Sequence, residues 1–275
     1  MSEFSGHMRL RASVRDHGRT VLSEQSFRAP FHLSKPYWDT DAGVLLVQVV
    51  NPTAGILAGD RLESAIAVDS GAALLVTTPS ASRIFQMDDG ARAEGVQHFS
   101  VARDGWLEFS PEPLVPHRGS RYRQVTTVDV APGGGLYFVD QLQPGRVGHG
   151  EAWSWFRLAL ELDVRIGGDR ALRERFDQTG ESLRQLADLA GSGAAACFAN
   201  AVLVPPAFDS APPWRPALTA LHGDGVWIGV SSLRVGGWSL KMVATDAVRL
   251  RATLRAARLI LADYFPRLRC DSRKL

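Results

Sequence analysis

Three stretches of this chain share one pattern. VDSGAALLV, VARDGWLEF and VAPGGGLYF begin at Val68, Val101 and Val130, and each places a leucine six residues later, at Leu74, Leu107 and Leu136. Glycine lies between, at Gly71, at Gly105 and at 133–135. The pattern reads as strand, tight turn, strand, with glycine supplying the positive φ that strains other residues. A period of roughly 30 residues predicts stacked units, each covering its neighbour's apolar face. An ordinary antiparallel β protein that repeats its turn chemistry is the plainer alternative. The expected fold class is mainly β: a two-layered, stacked, solenoid-like antiparallel structure with a few helices in the C-terminal third.

Alternation supports the β reading. Tyr122, Gln124, Thr126, Val128 and Val130 share one face, with Arg121, Arg123, Val125, Thr127 and Asp129 on the other. From Trp153 to Val164 the apolar face carries Phe156, Leu158, Leu160, Leu162 and Val164. Period two over such lengths predicts half-buried strands. Val44–Val50 is continuously apolar before the turn residues Asn51 and Pro52, which predicts a strand buried on both faces.

Helices come late. The spacing of Leu183, Leu186 and Leu189 predicts one over 181–190, with Gly191 as its C-cap. A second short helix is expected over 213–221. The third runs over 247–265, capped by Asp246, striped by Leu250, Leu254, Ala257 and Leu261, and stopped by Pro266. A hairpin of 226–233 and 238–244 feeds it across Gly236 and Gly237. No Gly-, Ser- or Pro-rich linker divides the chain, so residues 9–275 are expected to form a single domain, β-rich over 9–180 and mixed over 181–275. The stretch before Met8 is set aside.

Composition excludes several functions. The formal net charge is +2, with 31 basic residues scattered among 29 acidic ones, so no basic stripe for nucleic acid is expected. No apolar run approaches the ~18 residues a membrane helix needs, and the N-terminus lacks a secretory apolar core. Cys197 and Cys270 form no CxxC pair, so neither a disulfide framework nor a structural zinc site is expected, and two free thiols suit a reducing cytoplasm. None of the usual nucleophile-elbow, P-loop, zinc-protease or dinucleotide signatures is found. The seven histidines are dispersed, and those in turns, such as His117 and His149, are expected to be solvated. No catalytic residue emerges. Glu108 and Glu112 are the only pair worth weighing as a hydrolase's two carboxylates, and they lack a facing partner motif.

Three segments stand out. AGILAGDRLE folds tightly at Gly55 and Gly59 before Asp60, whose carboxylate is placed to accept backbone N–H bonds from the turn. LEFSPEPLVPHRGSR carries three prolines over 111–116, which forbids a central strand there and stiffens the segment. VDQLQPGR is a strand that ends in a Pro-Gly turn. With TTPSASRIF at 77–85 these segments, in this order, resemble the UreD (UreH) family of urease accessory proteins over about residues 10–180. The resemblance departs at Asn51-Pro-Thr, where the family often has His-Pro-Gly-Gly, and at Val139, where it usually has an aromatic.

The resemblance implies a helix-poor β fold and a chaperone-like part in urease maturation. It implies binding to apo-urease subunits and to the accessory proteins UreF and UreG, in the cytoplasm. It implies transient handling of Ni(II), with no permanently bound cofactor. A water-filled internal passage suits that task, because oxygen ligands let nickel move on where clustered His or Cys would trap it. The residues carried over as transit carboxylates are Asp60, Asp140 and Glu174; for each, a purely structural hydrogen-bonding role is the alternative. Trp214 and Trp227 are expected in the core, with a place near an apolar face beside the late helices that would dock a helical partner as the alternative. The competing readings are a β-solenoid scaffold with no metal role and, less favoured, a β-rich hydrolase.

Overall fold

A computed structural model describes residues 5–88, 90–189, 193 and 195–271. Two large sheets stack face to face. The seven-stranded sheet runs, edge to edge, Asp169–Gln178, Arg157–Ile166, Arg121–Val130, Ala93–Val101, Arg61–Val68, Ser5–Val14 and Thr20–Arg28. The central path of the eleven-stranded sheet is Val226–Ser232, Trp238–Ala244, Cys197–Val204, Gly135–Leu142, Trp106–Ser110, Ala73–Thr77, Val44–Val50 and His32–Leu33. A small two-stranded ribbon, Gly145–Arg146 with Glu151–Ala152, stands apart. The first strand takes in residues before Met8: Ser5, Gly6 and His7 pair with Arg61, Leu62 and Glu63.

The repeats are the heart of the fold, and they stack in register. Leu107 lies opposite both Leu74 and Leu136, and Val101 opposite both Val68 and Val130. The mainly β, stacked, helix-poor architecture is as expected. Strand direction within the repeats is the correction. The two strands of a repeat do not pair as an antiparallel hairpin. The turn carries the chain from one sheet to the other, and like strands of successive repeats pair in parallel. Among the described residues antiparallel pairing lies at the flanks and in the small ribbon, as between Ser5–Val14 and Thr20–Arg28 or between Arg157–Ile166 and Asp169–Gln178. Alternation and turn glycines are common to hairpins and arches, so they leave the direction open. What selects the arch is that Val68 and Leu74, Val101 and Leu107, and Val130 and Leu136 all enter one apolar layer between the sheets.

The turns also differ in detail. Gly71 and Gly133 hold φ of 72° and 82°, but in the middle repeat Asp104 takes the left-handed position at 61°. Gly105 is needed for a different reason: a Cβ there would sit 3.0 Å from the carbonyl oxygens of Ala102 and Asp69.

A second apolar layer separates the larger sheet from the two later helices, while Leu183 and Ala187 of the first helix join a third cluster with Trp153 and Trp155. Val44–Val50 is apolar throughout because Leu45, Val47 and Val49 face the first layer while Val44 and Leu46 face the second. The helices are α1 (Gly180–Leu189), α2 (Arg215–Thr219) and α3 (Ala247–Ala262). Asp246 caps α3 by accepting the Arg249 N–H at 2.8 Å, and Leu250, Ala257 and Leu261 are buried beneath the helix. Gly191, expected to cap α1, lies outside the described residues.

Three local expectations change. The alternating strand starts at Arg157, not Trp153; Trp153 and Trp155 are buried, 5.4 Å apart, whereas Phe156 is exposed beneath the Arg121 guanidinium. Trp153 has φ 60°, a turn conformation that interrupts the period. Within the proline-rich segment, Leu114–Pro116 forms a short strand parallel to Ser82–Ile84. His117 is buried, edge-on to Phe85, and desolvation holds its pKa below the usual imidazole range. Trp214 is core, as expected, packed edge-on against Trp238 at 5.2 Å, and it forms no docking face.

Candidate functional site: a polar passage between the sheets

The layer between the sheets is not apolar throughout. On Arg121–Val130 the inward face begins with Tyr122, Gln124 and Thr126 before turning to Val128 and Val130. The Tyr122 hydroxyl donates to Gln124 Oε1 at 3.1 Å, Gln124 Nε2 to Thr126 Oγ1 at 3.4 Å, and Thr126 Oγ1 to Gln97 Oε1 at 2.9 Å. Buried polar groups are tolerable only with such partners. Room for the Tyr122 ring comes from Gly95, where a Cβ would fall 2.3 Å from the phenol oxygen.

Asp140 faces this polar end. Along Gly135–Leu142 the inward positions are Leu136, Phe138, Asp140 and Leu142; Asp140 thus continues an apolar row with a carboxylate. Register places it opposite Asn200, and Asn200 opposite Lys241, so the three form one row across three strands of the larger sheet. Glu174 belongs to the other sheet, opposite Leu162. The Lys241 ammonium bridges the layers, donating to Glu174 Oε1 and, at 3.3 Å, to Asn200 Oδ1.

These residues line neighbouring cavities that share part of their walls. One of about 410 Å³ is bordered by Asp140, Glu174, Gln124, Gln141, Asn200 and Lys241. A narrower one of about 120 Å³ is bordered by Asp140, Gln124, Tyr122, Gln97 and Ser64. Gln141 also borders a wider groove of about 850 Å³ beside α3, with Thr78 and Glu112. Asp140 therefore borders both inter-sheet cavities, and Gln141 borders all three. The surface that Asp140 exposes opens onto these cavities. Its carboxylate has no hydrogen-bond or ion-pair partner among the described residues. Desolvation, and secondarily the charge of Glu174, push its pKa up to about 7. Desolvation also raises Tyr122, with Asp140 and then Asp60 adding to the effect.

Of the three carboxylates proposed from the sequence, the structure brings Asp140 and Glu174 together and leaves Asp60 apart. Asp60 is 5% exposed, and its Oδ2 accepts the Leu57 N–H at 2.8 Å, tying the glycine turn. Desolvation raises its pKa, and that hydrogen bond opposes the rise. Glu108 and Glu112 are each engaged by a different arginine, Arg258 and Arg251. Sequence reasoning missed Tyr122, Gln124, Gln141, Asn200 and Lys241. The available signal was a polar side chain at an inward position of an otherwise apolar alternation, as at Gln124 or at Asn200 within FANAVLV. Among the described residues no group of three or more His, Cys, Asp or Glu could hold a metal ion. No described helix is long and apolar enough to cross a membrane.

A family model described as UreD urease accessory protein matches residues 5–273. This chain belongs to the UreD family. A urease accessory protein UreD of Opitutus terrae is 63% identical over 273 residues, which is 99% of this chain and 100% of that one. The Deinococcus radiodurans protein of the same name is 32% identical over 95% of this chain and 91% of its own. A Yersinia enterocolitica UreD matches at 37% identity across 53% of this chain and 45% of its own. In this UreD fold the family-like segments converge on the passage. TTPSASRIF contributes Thr78 and Ser82, LEFSPEP contributes Phe109, Pro111 and Glu112, and VDQLQPGR contributes Asp140 and Gln141.

Proposed function

We propose that this UreD-family chain is a urease accessory protein, without catalytic activity of its own, that binds apo-urease together with UreF and UreG in the cytoplasm. In this reading nickel travels through the passage between the sheets on its way to the urease active site. The observation that carries the reading is the Asp140 carboxylate: partly buried, without a hydrogen-bond or ion-pair partner among the described residues, bordering both inter-sheet cavities and close enough to Glu174 to feel its charge. An unpaired carboxylate held in an enclosed position costs stability, and such groups mark functional sites. Two carboxylates with amide and hydroxyl oxygens around them offer a hard, hydrated cation successive weak ligands in place of one trap. Asp60 contributes by holding the turn that borders Tyr122, and its charge adds to the negative potential at that end.

The experiment is reconstituted urease activation with Asp140→Asn and Glu174→Gln, scored by pull-down with apo-urease and UreF and by the nickel content of the resulting urease. The expected result is normal assembly with nickel content lowered several-fold. Normal nickel content in both variants would leave a scaffold without a metal role as the better reading.

A further inference from the structure

We infer that Lys241 is a tethered counter-ion that occupies the cation position at the mouth of the passage and makes entry selective for divalent over monovalent cations. The inference rests on the proposed passage. Lys241 lies on the larger sheet and Glu174 on the smaller, and their side chains together span the ~10 Å between packed sheets. The ammonium touches Glu174 Oε1 and Asn200 Oδ1, both of which line the outer cavity with Asp140. The other acidic side chain of that cavity, Glu161, is already held by Arg123 at 3.1 Å and by Arg175 at 3.7 Å. The mouth therefore has one carboxylate whose partner is a flexible lysine rather than a rigid arginine fork. Glu174 is 18% exposed at its side chain and Lys241 55%, so the ammonium can swing into solvent while the carboxylate stays.

Displacement then sorts cations by charge. A monovalent ion replaces one unit charge with another and gives up the tether's advantage of effective concentration. A divalent ion brings twice the charge to a cavity where Glu174 and Asp140 stand together. Asn200 keeps a neutral oxygen at the same place for either occupant.

The test is calorimetric titration of the purified full chain with NiCl2 at low and high NaCl, for the parent, Lys241→Met, Lys241→Arg and Glu174→Gln. Removing one like charge at contact distance should tighten nickel binding by about tenfold in Lys241→Met. That variant should also lose more affinity in high NaCl than the parent does, because sodium now reaches Glu174. Lys241→Arg should stay at or below the parent affinity, and this variant keeps the inter-sheet link if Lys241→Met proves unstable. Unchanged affinity and salt response in Lys241→Met, with binding still lost in Glu174→Gln, overturns the counter-ion and leaves the passage standing. In an unstable Lys241→Met background, tighter binding by Lys241→Arg than by the parent overturns it. No nickel binding by any of the four proteins overturns both.

Discussion

Arg258 of α3 grips Glu108 of the central Trp106–Ser110 strand with two hydrogen bonds, Nε to Oε1 at 2.7 Å and Nη2 to Oε2 at 2.9 Å. The same Nη2 reaches the Cys270 carbonyl at 2.8 Å, so one guanidinium fastens the helix, the sheet and the segment after Pro266–Arg269 together. Glu108 is 1% exposed, which makes the pair an internal clamp rather than a surface bridge. Arg258→Ala leaves that carboxylate buried and unpaired, and should cost about 3–5 kcal/mol in urea unfolding. Glu108→Leu combined with Arg258→Met should recover most of the loss. A single-site cost below about 1 kcal/mol, typical of exposed pairs, would contradict the clamp.

Asp140 should make stability fall with rising pH. Its folded pKa is pushed up to about 7 from 3.8 by desolvation and then by Glu174. Below about pH 4 both folded and unfolded chains carry the proton and the site costs nothing. Between about pH 4 and 7 the unfolded chain ionises first, so folding loses stability, by about 4 kcal/mol at most once pH exceeds the folded value. Asp140→Asn should therefore melt higher than the parent at pH 8, and the difference should vanish towards pH 4. A pH-independent difference in thermal melts would refute the assignment.

Asp60 separates by chemistry. Asp60→Asn keeps an acceptor for the Leu57 N–H, whereas Asp60→Ala orphans that donor in a buried turn. The alanine variant should lose about 1–3 kcal/mol and the asparagine variant much less. Urea denaturation of both, alongside nickel content of reconstituted urease, tells turn-tying from transit: equal stability with lowered nickel in both would favour a direct part in transit.

Gly95→Ala tests the Tyr122 position. The added methyl would fall 2.3 Å from the phenol oxygen, so the ring must move from its hydrogen bond to Gln124. Overpacking of this kind should destabilise by about 1–3 kcal/mol. Tyr122→Phe in the same background should recover part of the loss, since it removes the crowded oxygen. No change in the melting temperature of Gly95→Ala would show that the ring is freer than its packing implies.

Much of the frame was legible in the residues. The repeated Val–Gly–Leu pattern foretold stacked units, and Val44–Val50 foretold a strand covered on both sides. Asp246, the leucine stripe and Pro266 bounded the last helix, because capping and period 3.6 are local physics. The motifs carried Asp60, Asp140 and Glu174 as three separate candidates, with no sign of which two would meet. None of this required knowing which strand lies beside which.

The sequence by itself determined where strands turn and which side chains face inward. Only the tertiary structure decided that each turn crosses between sheets, because a glycine turn and a period of two serve arch and hairpin alike. The site followed from that decision. Asp140, Asn200 and Lys241 are far apart in the chain, and antiparallel register alone sets them in one row. Glu174 joins them only because the Asp169–Gln178 strand closes the opposite sheet at the same end. A lysine on an alternating strand reads as solvated surface; the stacking of two sheets turned it into the partner of a passage carboxylate.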